Sequence, residues 1–323
     1  MERVGRVFVA LKLAEWERRI IDSVLGGSAE VVYMRPGSYE GIEGAVAAIA
    51  FRLPDEALAR APSLRFVQVP AAGVDQLDVK ALAERGIRVA SAKGCNARAV
   101  AEHAFALLLA LAKRVVEQND EVKRGAWRGY TEESFLADLE GSTLAVVGYG
   151  SIGREVARLA KAFGMRVLAI RKSPRPDELA DFVGGLDDLP RVLSEADFVV
   201  IALPLTEETR GLIGERELRA MKKGSFLINV GRGAVVDEHA LLKALREGWI
   251  AGAGLDVWWR YPPEEGWPSP LGVHKLPNVI ATPHKAGWTR RAREACLRFS
   301  AENVLRFLRG EEPLNLVGPD QGY

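Results

Sequence analysis

The sequence is poor in cysteine and has almost no excess charge of either sign. Its 323 residues include only Cys95 and Cys296, far apart and without a CxxC pair or histidine-rich neighbourhood suited to a metal. A chain this long can bury a sizeable core without covalent staples, so both are expected as reduced thiols in a cytosol. Lys and Arg number 44 against 43 Asp and Glu, a net charge of +1. No global field is therefore available to collect nucleic acid or an anionic membrane, and any anion must be met locally. No apolar stretch reaches the roughly 18 residues of a membrane span, and the first twenty residues carry charges inside their apolar run, unlike a secretory signal. Repeats of solenoid period and low-complexity tracts are also lacking. These absences lead to the expectation of a cytoplasmic protein with no metal, nucleic-acid or membrane partner.

What is present is an alternation of short apolar runs with helical spacing. Arg6–Ala10, Glu30–Met34, Ala47–Phe51, Phe66–Val69 and Ile87–Ala90 read as strands, with helical segments such as 13–25 and 54–61 between them. The stretch 97–124 places Ala101, Phe105, Leu108, Ala112 and Val116 on one helical face and reads as a single long, largely buried helix. His103 lies within it and reads as a satisfied core residue without chemistry. A second strand-helix series follows at Leu144–Val147, Arg166–Ile170, Phe198–Ala202, Ser225–Val230, Gly252–Val257 and Asn278–Thr282, and 290–309 returns to helical spacing. The fold class is therefore α/β, with two doubly wound parallel-sheet domains.

The second series opens on GYGSIG, where Gly148, Gly150 and Gly153 follow the apolar run LAVV and precede a helix ending near Gly164. Strand, GxGxxG and helix together form a dinucleotide-binding turn, with Tyr149, Ser151 and Ile152 filling it. Gly148 permits the tight turn, Gly150 lets the backbone approach a pyrophosphate, and Gly153 lets helix and strand pack closely. The helix N-terminus supplies free N–H groups for the anion. At the end of the next strand an NAD site usually places a carboxylate for the ribose 2′-hydroxyl. Here Arg171, Lys172 and Ser173 stand instead, groups that attract a 2′-phosphate. The expected cofactor is NADP(H), with NAD as the alternative.

Three segments narrow the reading: INVGRGAVVDEHAL around Arg232, GAGLDVW around Asp256, and ATPHKAGWT around His284. Each stands at or just after a strand's C-terminal end, where open α/β sheets build their sites. Together with GYGSIG, PAAGVDQLD and GCNARAVAEHAFALLLAL, they resemble the D-isomer-specific 2-hydroxyacid dehydrogenases over about residues 61–287. The resemblance implies that Arg232 clamps the substrate's carboxylate and carbonyl oxygens, and that His284 is the general acid in reduction and base in oxidation. It implies that main-chain groups of Ala72, Gly73 and Val74 hold the carboxylate from the other domain. Asp256 is implied near the nicotinamide, and Leu203, Pro204, Thr209, Val230, Gly231 and Gly287 complete the cofactor cleft. His239 and His274 match no family position and read as surface residues.

One position departs from the family. A glutamate partner of the catalytic histidine normally follows the GLDV aspartate by five residues, and Tyr261 occupies that place. A carboxylate there raises a histidine's pKa by favouring the imidazolium, which a neutral tyrosine does much less. Three readings stay open: Glu264 or Glu265 reaches back, Tyr261 orients the ring, or little proton transfer is needed, as in the similar formate dehydrogenases.

The resemblance further implies a Rossmann nucleotide-binding domain, 98–287, inserted into a flavodoxin-like substrate domain made of 1–97 and 288–323. It also implies an active site in the cleft between them and a homodimer built on the long helix. The expected activity is NADP(H)-linked reduction of a small 2-oxoacid such as glyoxylate or hydroxypyruvate. A formate-type dehydrogenase and a 3-phosphoglycerate dehydrogenase are alternatives, the latter disfavoured because the sequence ends near the dehydrogenase core. A nucleotide-sensing, corepressor-like protein is the non-enzymatic reading.

Overall fold

The structure, a computed structural model, describes residues 4–319 except 128, 263 and 264. The chain forms two compact units, Met1–Asn96 with Trp288–Tyr323, and Ala97–Gly287. In the first arm, β1 (Arg6–Ala10), α1 (Glu15–Leu25), β2 (Glu30–Tyr33), β3 (Ala45–Ala50), α2 (Asp55–Ala59), β4 (Phe66–Val69), α3 (Val79–Glu84) and β5 (Arg88–Ser91) alternate. The inserted unit begins with α4 (Ala97–Ala112) and α5 (Val115–Lys123). Next come β6 (Thr143–Val147), α6 (Ser151–Ala162), β7 (Arg166–Ile170), β8 (Phe182–Gly184), α7 (Leu189–Glu195) and β9 (Phe198–Ile201). The unit closes with α8 (Glu215–Ala220), β10 (Phe226–Asn229), α9 (Glu238–Arg246), β11 (Gly252–Leu255) and β12 (Val279–Ala281). The last arm carries α10 (Arg290–Leu308) and β13 (Leu316–Val317).

In the first unit the sheet order is β13-β5-β4-β3-β1-β2, parallel except for β13, which is the flavodoxin-like order with an antiparallel edge. Alternate residues face opposite sides, so Val7, Val9 and Ile49 bury against α1 and α10, while Phe8, Ala48 and Val67 face the other layer. Both faces are covered, as an all-parallel core requires. A tight ion pair between half-buried Arg293 Nε and buried Glu17 Oε1, 2.6 Å, joins α10 to α1.

The thiols expected to be free are instead joined, Cys95 to Cys296, with Cα atoms 5.0 Å apart across 201 residues of sequence. That spacing lies within the range a disulfide spans. Cys95 ends the first arm and Cys296 sits in α10. The long separation is only the length of the inserted unit, so sequence spacing hid their proximity.

The second unit has the order β12-β11-β10-β9-β6-β7-β8, all parallel, with the reversal at β6 and β9. Its strands are apolar on both faces: Ala145 and Val147 pack with Leu168 and Val199, Leu144 and Val146 with α4 and α6. The single helix expected over 97–124 is in fact two. Arg114 takes a left-handed φ of 48° between α4 and α5. The C=O of Ala112 accepts from Ala137 N, 3.0 Å, and that of Lys113 from Gln118 Nε2, 2.6 Å. Carbonyls satisfied from outside the helix need no continuing turn, and no glycine or proline marks the place. Among the described residues, no helix is long and apolar enough to cross a membrane.

Candidate active site

The glycine turn sits between β6 and α6. Gly148 has φ +105°, and a Cβ there would lie 2.7 Å from Ala202 C and 2.8 Å from Leu203 N, so only glycine fits. A Cβ on Gly153 would meet Gly148 O at 2.4 Å and Val146 Cγ1 at 2.9 Å, whereas one on Gly150 would meet nothing within 4 Å. The space before Gly150, at a helix N-terminus without a side-chain cap, suits a pyrophosphate against the first-turn N–H groups of Ser151, Ile152 and Gly153. The residues present therefore fit a dinucleotide. Tyr149 is buried, and its hydroxyl donates to Asp177 Oδ1 at 3.1 Å. Burial, then that bond, pushes the phenol above its usual range. Arg154 donates to Asp177 Oδ2 at 2.8 Å and holds that carboxyl below the ordinary aspartate range. The side chain of Tyr149 thus anchors the loop after β7, leaving its main chain to the turn.

That loop carries the basic triplet. Arg171 N donates to Gly184 O at 3.0 Å, Lys172 and Ser173 are exposed, and Lys172 Nζ pairs with Glu208 Oε2 at 2.8 Å. Glu208 belongs to the turn after β9. Buried Thr209 latches this turn, accepting from Thr206 N at 2.8 Å and donating to Pro204 O at 2.7 Å. Leu203 precedes it and approaches Gly231, where a Cβ would lie 2.5 Å from Leu203 O.

Three neighbouring parallel strands end together, and each is followed by a site residue. Beyond β10, Val230 N donates to Ile201 O, and Asn229, 1% exposed, acts as a brace. Its Oδ1 accepts from Gly231 N and its Nδ2 donates to Arg232 O, both at 3.0 Å. Arg232 also donates from Nη1 to Gly231 O, 2.9 Å. Beyond β11 comes Asp256, also 1% exposed. Its Oδ1 accepts from Thr282 Oγ1 at 2.6 Å and Lys285 N at 3.0 Å, and its Oδ2 from Ala286 N at 2.8 Å. Beyond β12, that clamped turn carries His284, exposed and held at φ 54°. A non-glycine residue there costs on the order of 1 kcal/mol and persists only when its surroundings over-determine it. Gly287 ends the turn.

Around His284 the aromatic residues of GLDVWWRY close in. Trp258 Nε1 donates to Thr282 O at 2.9 Å, Trp259 Nε1 to Val236 O at 2.8 Å, and the Tyr261 ring centroid lies 5.3 Å from that of His284. Glu265 folds back locally, its Oε2 accepting from Tyr261 N at 2.9 Å, and Glu264 lies outside the described residues. His239 is exposed, and His274 is half-buried, with its Nδ1 covered and its ring stacked on the exposed Trp267 at 6.3 Å. His103 is half-buried and its ring is satisfied, Nε2 lying 3.0 Å from Thr282 Oγ1. In the first unit, Ala72, Gly73 and Val74 form the loop after β4, tied by Leu77 N to Val74 O at 2.9 Å.

Asn229 and Thr282 were not singled out from sequence, and His103 was read there as a residue without chemistry. The polar end of the apolar strand FLIN was the available sign for Asn229. The other two act only through partners distant in sequence.

Residues 105–286 match the family description "D-isomer specific 2-hydroxyacid dehydrogenase, NAD binding domain". The chain belongs to this family. It is 40% identical over 286 residues to a glyoxylate reductase of Thermococcus litoralis, covering 86% of this chain and 84% of that protein. A glyoxylate reductase of Korarchaeum cryptofilum is 44% identical over 272 residues, 82% and 79% of the two chains. Among solved structures, a D-isomer specific 2-hydroxyacid dehydrogenase from Xanthobacter autotrophicus, in complex with NADPH and MES, superposes with a TM-score of 0.82 at 28% identity, covering 99% of both chains. The protein is thus an NAD(P)-dependent D-2-hydroxyacid dehydrogenase with a Rossmann nucleotide-binding domain.

Proposed function

We propose that this dehydrogenase reduces glyoxylate or hydroxypyruvate with NADPH. The observation that carries the reading is the placement of Arg232 and His284 after strands β10 and β12, which flank β11 in one parallel sheet. A cation for the carboxylate and an acid for the developing alkoxide thereby belong to one edge of that sheet. Arg232 binds the carboxylate and carbonyl oxygens, and Ala72, Gly73 and Val74 form the substrate-binding loop of the first unit. His284 gives the carbonyl oxygen its proton, and Tyr261 packs against the imidazole as a neutral neighbour. When bound, the reduced nicotinamide would supply the hydride that, with the proton from His284, converts the C=O to CH–OH. Gly148, Gly150 and Gly153 with the N-terminus of α6 hold the pyrophosphate, and Arg171, Lys172 and Ser173 the 2′-phosphate. The named activity of the two relatives supports the substrate, and the NADPH-bound neighbour supports the cofactor.

The same reading makes the enzyme a cytoplasmic homodimer. Val115, Val122, Trp127, Tyr130 and Phe135 expose large apolar side chains along 115–135 of the nucleotide-binding unit, a patch that a second copy would cover. Light scattering at micromolar concentration is expected to give twice the chain mass, and a monomer would remove the dimer from the account. The activity is tested by steady-state kinetics on glyoxylate, hydroxypyruvate, pyruvate, 3-phosphohydroxypyruvate and, in the oxidative direction, formate, each with both cofactors. The highest kcat/KM is expected for glyoxylate or hydroxypyruvate with NADPH. Preference for formate or for NADH would overturn the corresponding half.

A further inference from the structure

Helix α4 runs antiparallel to strand β11 and touches it at two glycines. A Cβ on Gly252 would lie 3.4 Å from Leu111 Cδ2, and one on Gly254 would lie 2.9 Å from Leu107 Cβ. Four helical residues rise about 6 Å and two strand residues about 6.6 Å, so the two elements stay in step. Leu111 sits on Gly252 and Leu107 on Gly254, and one further step pairs His103 with Asp256. The glycines of GAGLDVW thus bring α4 close, and the register delivers an imidazole to the buried carboxylate beyond the strand end.

At that end, His103 Nε2 lies 3.0 Å from Thr282 Oγ1 and 3.5 Å from Asp256 Oδ1. A threonine hydroxyl has one hydrogen, and the 2.6 Å bond commits it to Asp256 Oδ1. Thr282 Oγ1 must therefore accept from His103, which fixes His103 as the Nε2–H donor. The chain of donation runs from His103 to Thr282 to Asp256, and Asp256 in turn accepts the main-chain N–H groups of Lys285 and Ala286, the two residues that follow the strained His284.

We propose that His103 is a positioning residue of this dehydrogenase, acting through Thr282 and Asp256 to hold the turn that presents His284. The proposal rests on the reading of His284 as the proton donor. Loss of His103's hydrogen leaves Thr282 Oγ1 without its donor and loosens the carboxylate that keeps His284 in its left-handed conformation. Substrate and cofactor contacts remain in place, so the effect belongs in kcat.

The test is reductive kinetics of the NADPH-loaded enzyme in His103→Leu, His103→Gln, Thr282→Val, the His103→Leu/Thr282→Val double variant and His284→Asn. His103→Leu is expected to lower kcat about tenfold, with KM for the 2-oxoacid changed less than about twofold. Glutamine, which carries a donor at a similar reach, should recover kcat to within about threefold of wild type. The double variant should fall no further than Thr282→Val alone, because both break one chain of bonds. Wild-type kcat in both His103→Leu and Thr282→Val, or losses that multiply in the double variant, would overturn the proposal. If His103→Leu melts below the assay temperature, the glutamine and valine variants decide the matter by the same criteria. Failure of the underlying reading shows separately, as wild-type turnover in His284→Asn.

Discussion

The turn that carries His284 and the loop that carries Arg171, Lys172 and Ser173 stand beyond different strands of the same parallel sheet, yet they are held in opposite ways. The first is fixed by Asp256, 1% exposed, which accepts three hydrogen bonds from the 282–286 turn. The second includes an ion pair, Lys172 with Glu208, whose side chains are 71% and 62% exposed. A buried carboxylate with committed donors is costly to disturb, whereas an exposed pair is screened by water and contributes only about 0.2–1 kcal/mol. Proton transfer needs reacting atoms held to fractions of an ångström, and cofactor choice needs only a favourable local charge. On the proposed reading, geometry is assigned to the buried cluster and cofactor selectivity to the exposed one.

Three substitutions would break or sharpen this contrast. Asp256→Asn replaces one acceptor oxygen with an amide that faces main-chain N–H groups. Leaving a buried donor unsatisfied costs about 2 kcal/mol, so kcat should fall ~30-fold and the melting temperature should drop. A kcat unchanged in Asp256→Asn would show that the buried cluster does not govern the turn. Arg171→Ala should raise KM for NADPH about tenfold while leaving KM for NADH nearly unchanged, as expected for one charge-assisted contact to a 2′-phosphate. An equal rise for both cofactors would place Arg171 outside cofactor selection. Glu208→Gln removes a carboxylate that competes for Lys172, and KM for NADPH should fall about twofold without a change in stability. A rise in KM instead would mean that Glu208 helps to position Lys172.

The same contrast explains what the sequence could disclose. Strands such as β6 and β9 are buried on both faces and read directly as apolar runs, and the glycine turn between β6 and α6 is legible because Gly148 and Gly153 have no room for a side chain. The candidate residues Arg232, Asp256 and His284 stood out because a family pattern marks them, and the structure puts each just beyond a strand end of one parallel sheet. Edge strands β8 and β13, of three and two residues, are too short to show a period. The break at Arg114 carries no glycine or proline, and its cause is Ala137 reaching back from beyond α5. The Cys95–Cys296 bond and the His103–Thr282 contact span 201 and 179 residues, so only the folded arrangement reveals them. Tyr261 was visible as a departure from the family, but its place beside His284, 5.3 Å between ring centroids, is set only by the folded chain.

The most direct test of the account is single-turnover reduction of glyoxylate by NADPH-loaded His284→Asn enzyme, with NADPH affinity measured on the same sample. The account predicts a rate at least about a hundredfold below wild type, the usual worth of a positioned general acid, with cofactor affinity unchanged. A wild-type rate in that variant would contradict it.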